Sequence, residues 1–294
     1  MRYRENPSKA ACFVTGIANR ENELANREAF DRVELNGRAA TADDLRTPAL
    51  LNYGHFTSMH VHGGSVRGLD LHLQRLDNAT RALFGVPLDV AAVRAFMRQA
   101  LRGYAGACAM RVTVFSKALQ RDRPSAPAAP DVLVSVSAAR SGPSASLRLK
   151  TFRHERAFPE IKHVATFPLY YHRRLAQLAG FDDALFVDEA GCISEASIWN
   201  LGFLEGDTVV WPEAPMLEGV SMQLIRSGLR ERGIATTTRR IAPDDLGRYR
   251  FAFLTNASCA VLPVASIDGA RFDIDPAAVE RLAACHDGHP LQPI

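Results

Sequence analysis

The order of strand-like and helix-like segments limits the fold of this chain more than any other feature. Short stretches in which apolar and polar residues alternate, such as CAMRVTVFS and DVLVSVSAA, are typical of half-buried β-strands. Longer stretches with apolar residues three and four positions apart, such as PLYYHRRLAQLAG and GVSMQLIRSGLRERG, are typical of helices that pack on a sheet. Because both kinds occur in both halves of the chain, we predict an α+β fold.

A break in this pattern divides the sequence. The segment RSGPSAS at 140–146 is rich in Ser, Pro and Gly, and strand-like sequence stops before it and resumes after it. We therefore predict a small N-terminal domain at 1–139, a linker at 140–146 and a larger C-terminal domain at 147–294. The first domain has an irregular beginning, in which NRENELANREAFDR is predicted to be a short helix.

Within the first domain, the sequence predicts a strand pair followed by a helix. HFTSMHV and SVRG are the two strands, and Gly63 and Gly64 form the turn between them. The helix that follows is predicted to have Asp70 as its N-cap.

Composition narrows the class of protein and its partners. The 294 residues are 47% hydrophobic and 23% charged, as expected for a globular protein, and the net charge is only +3 without a basic block. The five cysteines lie far apart, and no apolar run approaches the roughly 20 residues that span a bilayer. The N-terminus also lacks the hydrophobic core of a signal peptide. We therefore expect a cytoplasmic protein that binds neither nucleic acid nor membranes.

A metal site is also not expected. His60 and His62 form an HxH pair on one strand face, but no third ligand lies nearby in the sequence. No CxxC pair is present either, which argues against a thiolate zinc site.

Lys162 is conspicuous because lysine is rare in this chain. The sequence has 35 Lys and Arg residues, of which only Lys9, Lys117, Lys150 and Lys162 are lysines. Lys162 lies in EIKHVATF, just before an apolar and aromatic run. A buried ammonium can lose its proton and act as a nucleophile, whereas a guanidinium stays protonated. An amine can therefore be required at this position.

Two further segments supply groups that would complement a reactive amine. Glu195 lies in the apolar stretch GCISEASIWNLGF, where a lone carboxylate is costly unless it is paired. Gly219, Val220 and Ser221 begin a predicted helix, whose first N–H groups can bind a phosphate. An amine, a carboxylate and a phosphate site are what pyridoxal phosphate requires. Taken singly, such features are more often a surface lysine, a turn carboxylate or an ordinary helix start.

The same segments resemble the class IV aminotransferase family, the fold type IV pyridoxal-phosphate enzymes. That family has a lysine, a helix, the patterns D-E-A-L-x-L-D and G-x-V-T/S-E, and an asparagine before an apolar strand. The corresponding segments here are Lys162, DDALFVD at 182–188, GCISE at 191–195 and Asn200. HLQRL at 72–76 and TNASCAVLPV at 255–264 match two further family segments. The resemblance implies a small N-terminal and a larger C-terminal α/β domain with the active site between them.

The resemblance also implies a role for each matched residue. Lys162 is expected to form a Schiff base with pyridoxal 5'-phosphate and to move the substrate proton. Glu195 is expected to bind the pyridine nitrogen, and Arg75 the phosphate. The other expected cofactor-binding residues are Asn200, Leu201, Gly219, Val220, Ser221, Thr255 and Asn256. The expected substrate-binding residues are His55, Phe56, Phe167 and Ala257.

The activity implied is transfer of an amino group between an amino acid or amine and a 2-oxo acid, by a homodimer. Three departures from the family pattern keep other functions open. Asn52-Tyr53-Gly54 replaces G-D-G, Phe167 replaces a tyrosine of the branched-chain enzymes, and Phe115-Ser116-Lys117 replaces T-R-G. The alternatives are a pyridoxal-phosphate lyase of the 4-amino-4-deoxychorismate lyase type and a non-catalytic binding protein on the same scaffold.

Overall fold

A computed structural model describes residues 32–104, 106–139 and 145–294 of the chain. Residues 19–31 of the predicted N-terminal helix and residues 140–144 of the predicted linker lie outside the described residues. The described helices are α1 (Arg46–Leu50), α2 (Leu69–Phe84), α3 (Val90–Ala100), α4 (Phe167–Leu178), α5 (Val220–Glu231) and α6 (Pro276–Asp287), with a 3₁₀ helix at Pro243–Arg248.

The strands form two sheets. In chain order they are β1 (Arg32–Leu35), β2 (Arg38–Ala39), β3 (His55–His62), β4 (Ser65–Arg67), β5 (Ala107–Phe115), β6 (Asp131–Ala138), β7 (Leu147–Arg153), β8 (Asp183–Val187), β9 (Ile193–Ala196), β10 (Asn200–Glu205), β11 (Thr208–Pro212), β12 (Thr236–Arg239), β13 (Phe251–Asn256), β14 (Cys259–Ile267), β15 (Ala270–Arg271) and β16 (Leu291–Pro293). The first sheet has the order β16-β4-β3-β5-β6-β1-β2, and the second has the order β12-β11-β10-β13-β14-β7-β8-β9 with β15 on β14.

The first sheet packs one face against α2 and α3. Alternate residues of β3, including Met59 and Val61, join buried residues of α2 in one apolar cluster. Helix α2 begins after Gly68, whose φ of +67° is in the left-handed region. The prediction that Asp70 is the N-cap is therefore wrong, since Asp70 lies inside the first turn. Gly68 is required also for space, because a Cβ there would lie 2.9 Å from Val220 Cγ1 of α5.

The second sheet is mixed and has an apolar layer on each face. One layer contains Leu185, Leu201 and Val264, and the other places Trp211 and Phe253 against α5 and α6. Strands β7 and β8 run parallel, as do β7 and β14, whereas β10 and β13 are antiparallel. The two sheets with their helices confirm the predicted α+β class. No helix among the described residues is both long and apolar enough to cross a membrane.

The connection that follows β7 of the second sheet bonds to the first residues of β3 in the first sheet. The Phe56 N–H donates to the Lys162 carbonyl at 2.9 Å, and the Val164 N–H donates to the Gly54 carbonyl at 3.0 Å. Strand β16, near the C-terminus, pairs antiparallel with β4 of the first sheet. Lys162 therefore lies at the seam between the sheets. The division at 139 and 147 stays a prediction.

Candidate active site

Lys162 is fixed at the seam by its backbone, and its amine points into a buried region. Its Nζ lies 5.0 Å from the centroid of the Phe56 ring. The pKa of Lys162 is lowered to about 7, chiefly by burial and then by the positive charges of Arg75 and Arg156, against an opposing effect of Glu195. A pKa near neutrality leaves a substantial fraction of the amine uncharged and nucleophilic.

Glu195 on β9 is the carboxylate whose charge acts on the Lys162 amine. Its side chain is buried, and its Oε1 lies 3.8 Å from an Arg156 guanidinium nitrogen. Burial raises the pKa of Glu195 to about 7, while Arg156, Lys162 and the Leu217 backbone act in the opposite direction. Among the described residues, Glu195 Oε1 has no hydrogen-bond partner. A buried oxygen of this kind is available to a ligand that carries a proton.

Arg75 connects α2 to the loop that precedes α5. One guanidinium nitrogen donates to the Glu218 carbonyl at 2.9 Å. Burial lowers the pKa of Arg75 to about 10, with a further contribution from Arg156, yet the guanidinium stays charged at neutral pH. The guanidinium thus lies beside the first turn of α5, where backbone N–H groups lack helical partners. A fixed positive charge and free N–H groups together suit an anion.

Both polar atoms of the Asn200 side-chain amide form hydrogen bonds to the loop that precedes α5. Its Oδ1 accepts from the Gly219 N–H at 2.9 Å, and its Nδ2 donates to the Leu217 carbonyl at 2.7 Å. A Cβ at Gly219 would lie 2.3 Å from this Oδ1, so only glycine fits. Asn200 therefore positions the start of α5 and does not itself point at a ligand there.

The balance of charge around Lys162 favours an anionic ligand. Three guanidinium groups, those of Arg75, Arg156 and Arg111, act on the Lys162 amine together with the single carboxylate of Glu195. Thr255 Oγ1 and Arg156 Nε are also buried without a hydrogen-bond partner among the described residues. An excess of buried positive charge is costly unless an anion neutralises it. The donor set fits a phosphate-bearing group with a protonated ring nitrogen, as in pyridoxal phosphate.

The structure brings most of the predicted cofactor residues together. The Ser221 hydroxyl donates to the Asn256 carbonyl at 2.8 Å, which joins the start of α5 to the turn after β13. Val220, Ser221 and Ala257 line one cavity. Leu201 is completely buried in an apolar cluster of the second sheet, on the strand that also holds Asn200.

Two predicted substrate residues lie elsewhere. The His55 side chain is buried on the α2 side of the sheet, where its Nε2 lies 3.0 Å from Thr80 Oγ1. Because side chains alternate along a strand, His55 faces away from the side that holds Phe56. Phe167 begins α4 at the surface, with 75% of its area exposed, and stacks on Tyr171. The structure therefore does not place the side chain of either residue beside Lys162.

Two arginines of the site were missed by the sequence analysis. Arg156, six residues before Lys162, is buried and is the nearest cation to Glu195. Arg111 on β5 lies over the Phe56 ring, with its Cζ 3.5 Å from the ring centroid. A charged residue within the apolar strand CAMRVTVFS was a signal that could have identified Arg111. Arg156 had no comparable signal, because arginine is abundant throughout the chain.

Comparisons with known proteins agree with this fold. The architecture, two sheets with an amine and a carboxylate at their seam, is that of fold type IV enzymes. The family model described as "Amino-transferase class IV" matches residues 54–267. The chain therefore belongs to the class IV aminotransferase family, as its motifs predicted.

Individual relatives are more distant. A probable branched-chain-amino-acid aminotransferase of Rickettsia felis is 28% identical over 97 residues, which is 33% of each chain. The match thus spans about a third of the length of this curated relative.

Two solved structures show the same fold at low identity. A branched-chain aminotransferase from Thermoproteus uzoniensis with norvaline has a TM-score of 0.77 and 17% identity, covering 86% of this chain and 93% of that one. A hypothetical aminotransferase from Mycobacterium tuberculosis, in its PLP-bound form, has a TM-score of 0.72 and 21% identity, covering 87% and 99%.

Proposed function

We propose that this protein is a pyridoxal-phosphate-dependent aminotransferase in which Lys162 is the catalytic residue. The observation that carries the proposal is the half-buried Lys162 side chain, whose amine has a lowered pKa and shares one charge network with Glu195 and Arg75. Bound pyridoxal phosphate supplies an aldehyde for an amine and a ring that accepts the electron pair of a Cα–H bond. Membership of a family of pyridoxal-phosphate enzymes supports this choice of cofactor.

Each cofactor-binding residue has a separate task in this proposal. Arg75 and the first N–H groups of α5, at Val220 and Ser221, hold the phosphate, and Gly219 with Asn200 fixes the position of those N–H groups. Glu195 Oε1, which has no hydrogen-bond partner among the described residues, would accept a hydrogen bond from the N–H of the protonated cofactor ring. Thr255 and Asn256, at the end of β13, close the same side of the site.

Lys162 Nζ is the base for the proton on the substrate Cα. A general base works best when its pKa lies near the working pH, and the pKa of Lys162 is about 7. Burial and the neighbouring arginines lower this pKa, and in this proposal they thereby make Lys162 an effective base.

Arg111 and Phe56 form a substrate-binding wall on the face of the first sheet that is turned toward Lys162. The guanidinium of Arg111 lies over the Phe56 ring, and the same ring lies 5.0 Å from Lys162 Nζ. We propose that Arg111 binds a substrate carboxylate, a role that suits its planar fork of donors. This residue replaces the arginine that Phe115-Ser116-Lys117 lacks, and Lys117 pairs instead with Asp44.

Transamination is favoured over the lyase alternative by the relatives themselves. Those described above are named aminotransferases, and two carry the branched-chain name. The substrates proposed are an amino acid or amine as donor and a 2-oxo acid as acceptor.

A panel of amino donors with pyruvate and 2-oxoglutarate tests this proposal. Formation of the new amino acid, with conversion of the cofactor to its pyridoxamine form, is expected. Release of pyruvate from 4-amino-4-deoxychorismate without transamination would instead establish the lyase, and a protein that takes up no cofactor would establish a binding protein.

The exposed aromatic residues near Lys162 favour a homodimer. Phe158, Phe167, Tyr170 and Tyr171 expose 69%, 75%, 59% and 48% of their surfaces. Aromatic side chains clustered in this way are typical of protein interfaces. We expect sedimentation equilibrium to give twice the chain mass, and a Phe167→Ser, Tyr171→Ser double variant to dissociate at a higher concentration. A wild-type protein that stays monomeric at all concentrations would contradict the dimer.

The cytoplasm is the proposed location. The four described cysteines, Cys108, Cys192, Cys259 and Cys285, are all unpaired thiols, as expected in a reducing compartment. A fusion of the chain to a fluorescent protein tests the location by microscopy.

A further inference from the structure

The proposed phosphate site is built from two helices that pack on different sheets. Arg75 lies in α2, which packs on the first sheet, whereas the N–H groups of Val220 and Ser221 begin α5, which packs on the second. The Arg75 guanidinium reaches across to donate to the Glu218 carbonyl at 2.9 Å. Because a phosphate has to contact both helices at once, its affinity depends on how accurately the helices are held relative to each other.

The two helices touch near their N-terminal ends. Gly68 directly precedes α2, and a Cβ at this residue would lie 2.9 Å from Val220 Cγ1 and 3.3 Å from Leu224 Cδ1. The backbone at the start of α2 therefore rests on the first turns of α5. An apolar contact of this kind is not directional, so it limits the approach of the helices without fixing their orientation.

The segment 288–293, which follows α6, forms directional bonds to both helices. His289 and Gln292 are half-buried, whereas the other residues of the segment are exposed. His289 Nε2 lies 2.8 Å from the Leu224 carbonyl oxygen of α5, and because a carbonyl only accepts, this nitrogen carries the hydrogen. Gln292 Oε1 accepts from the N–H of Asp70, in the first turn of α2, at 3.2 Å. Two side chains of one short segment thus connect α5 to α2.

The segment 288–293 is itself fixed on both sides. Its strand β16 pairs with β4, and Arg67 of β4 donates to the Asp287 carbonyl at 2.8 Å and to the His289 carbonyl. The Asp287 carbonyl ends α6, where C=O groups lack helical partners. Helix α6 packs closely on α5, since Gly228 of α5 has no room for a Cβ beside the Cys285 carbonyl. The segment is therefore joined to the sheet under α2 and to the helix beside α5.

We propose that His289 and Gln292 are positioning residues for the cofactor phosphate. The inference rests on the proposed function and adds to it the groups that hold the two halves of the phosphate site together. His289 and Gln292 act through α5 and α2, and thereby fix the first N–H groups of α5 relative to Arg75. A site held in its binding geometry before the ligand arrives loses less free energy on binding. The affected ligand group is a phosphate, and the cofactor ring and aldehyde do not depend on this support.

The test compares pyridoxal phosphate with pyridoxal, which has the same ring and aldehyde but no phosphate. Both are titrated into the 294-residue protein freed of cofactor, as wild type and as His289→Leu, His289→Gln and Gln292→Leu. We expect His289→Leu to weaken the affinity for pyridoxal phosphate about ten-fold and to leave that for pyridoxal unchanged. His289→Gln keeps an N–H donor and should restore part of the loss. Gln292→Leu should weaken the affinity less, because the bond that it removes is longer and exposed.

Arg94→Ala is the matched control. Arg94 of α3 donates to the Pro293 carbonyl at 2.9 Å, so it holds the same segment from a helix that carries no part of the proposed phosphate site. Urea unfolding of every variant measures the accompanying change in stability. A loss of pyridoxal phosphate affinity in Arg94→Ala as large as that in His289→Leu, or an equal loss for pyridoxal, would overturn the inference, because either result indicates general loosening of the fold.

Inorganic phosphate separates this inference from the proposed function. It is added to the cofactor-free protein, and the unfolding temperature is recorded. A rise in the wild type that is smaller in His289→Leu supports the inference even if the protein takes up no pyridoxal phosphate. An unchanged affinity of His289→Leu for pyridoxal phosphate would overturn the inference and leave the proposed function standing. A wild type that responds to neither ligand would contradict both.

Discussion

Two buried carboxylates on neighbouring strands, Asp183 of β8 and Glu195 of β9, differ in how their hydrogen bonds are completed. Asp183 accepts from the Ala184 N–H at 2.7 Å, from the Ser197 hydroxyl at 2.5 Å and from Trp199 Nε1 at 3.2 Å. Glu195 has one oxygen without a hydrogen-bond partner, and its nearest cation is 3.8 Å away. Burial raises the pKa of both carboxylates, so the difference lies in their partners and not in their depth.

This difference supports the proposal that Asp183 is a structural carboxylate and that Glu195 binds the cofactor. A completed set of donors holds Asp183 in place and links β8 to the turn at 197–199. Glu195 would be costly in a finished core, and its cost is explained when a cofactor supplies the missing proton donor. The comparison predicts that changes near Glu195 affect activity, whereas changes at Asp183 affect stability.

The largest expected effect is on activity, at Lys162. We expect Lys162→Met to lower kcat by at least about 10²–10⁴-fold, because the base for the Cα proton is lost. Lys150→Met is the matched control, since Lys150 lies on β7 and its ammonium is over the Phe181 ring. Steady-state rates of both purified variants check this prediction. An equal loss of kcat in both variants would contradict the assignment of Lys162 as the base.

The next largest effect is on stability, at Asp183. Asp183→Asn should lower the free energy of unfolding by about 3 kcal/mol, since it leaves Arg173 and at least one buried donor uncompensated. Glu195→Gln should leave the stability of the cofactor-free protein unchanged or raised, because the cost of burying the carboxylate charge outweighs its attraction to Arg156 and Lys162, and it should abolish most activity. Urea unfolding of the two variants measures both values. Equal destabilisation would show that Glu195 is a structural carboxylate as well.

A smaller effect is expected on cofactor affinity, at Arg75. Arg75→Lys keeps the charge but loses the fork that bonds the Glu218 carbonyl and a phosphate at once. A lost charge-assisted hydrogen bond corresponds to about a 10–100-fold weaker affinity for pyridoxal phosphate. Fluorescence titration of the cofactor-free variant measures this affinity, with Arg81→Lys as the control on an exposed face of the same helix. An unchanged dissociation constant for Arg75→Lys would exclude Arg75 from the phosphate site.

The smallest effect, taken per unit of pH, is the pH dependence of stability without cofactor. The folded pKa of Glu195 is raised from 4.5 to about 7, so its contribution to stability falls as pH rises from about 4.5 to 7. The folded pKa of Lys162 is lowered from 10.5 to about 7, so the stability contribution rises with pH between about 7 and 10.5. Each slope is at most about 1.4 kcal/mol per pH unit.

The two groups together give the cofactor-free protein a stability minimum near pH 7. Urea unfolding across this range should show the minimum in the wild type and lose it in the Lys162→Met, Glu195→Gln double variant. A wild type whose stability is greatest at pH 7 would contradict the burial of these two groups.

The sequence predicted the elements of this fold better than the contacts between them. Alternation and helical spacing identified β3, β5 and β6 and the helices α2 and α5, because each buries one face in a regular pattern. Strand β16, with the sequence LQP, has three residues and a proline, so no alternation marked it. Its pairing with β4 is a long-range contact that local pattern does not encode.

For the candidate site too, the sequence predicted which segments take part better than it predicted how their side chains are placed. Motif order grouped Lys162, Glu195 and Arg75, and the structure has them in one charge network, while their roles stay predictions. Alternation places His55 and Phe56 on opposite faces but does not say which face is turned toward the site, and the structure has Phe56 there. Arg156 enters the site through the path of the chain after β7, which composition could not reveal.

Borohydride reduction of the holoenzyme, followed by digestion and mass spectrometry, tests the central claim most directly. Reduction makes the link between a lysine and pyridoxal phosphate permanent, so the modified peptide identifies the lysine. The account predicts the added mass on the peptide that contains Lys162, and its absence from peptides with Lys9, Lys117 or Lys150. A cofactor fixed on another lysine, or on none in a protein that has bound it, would contradict the account.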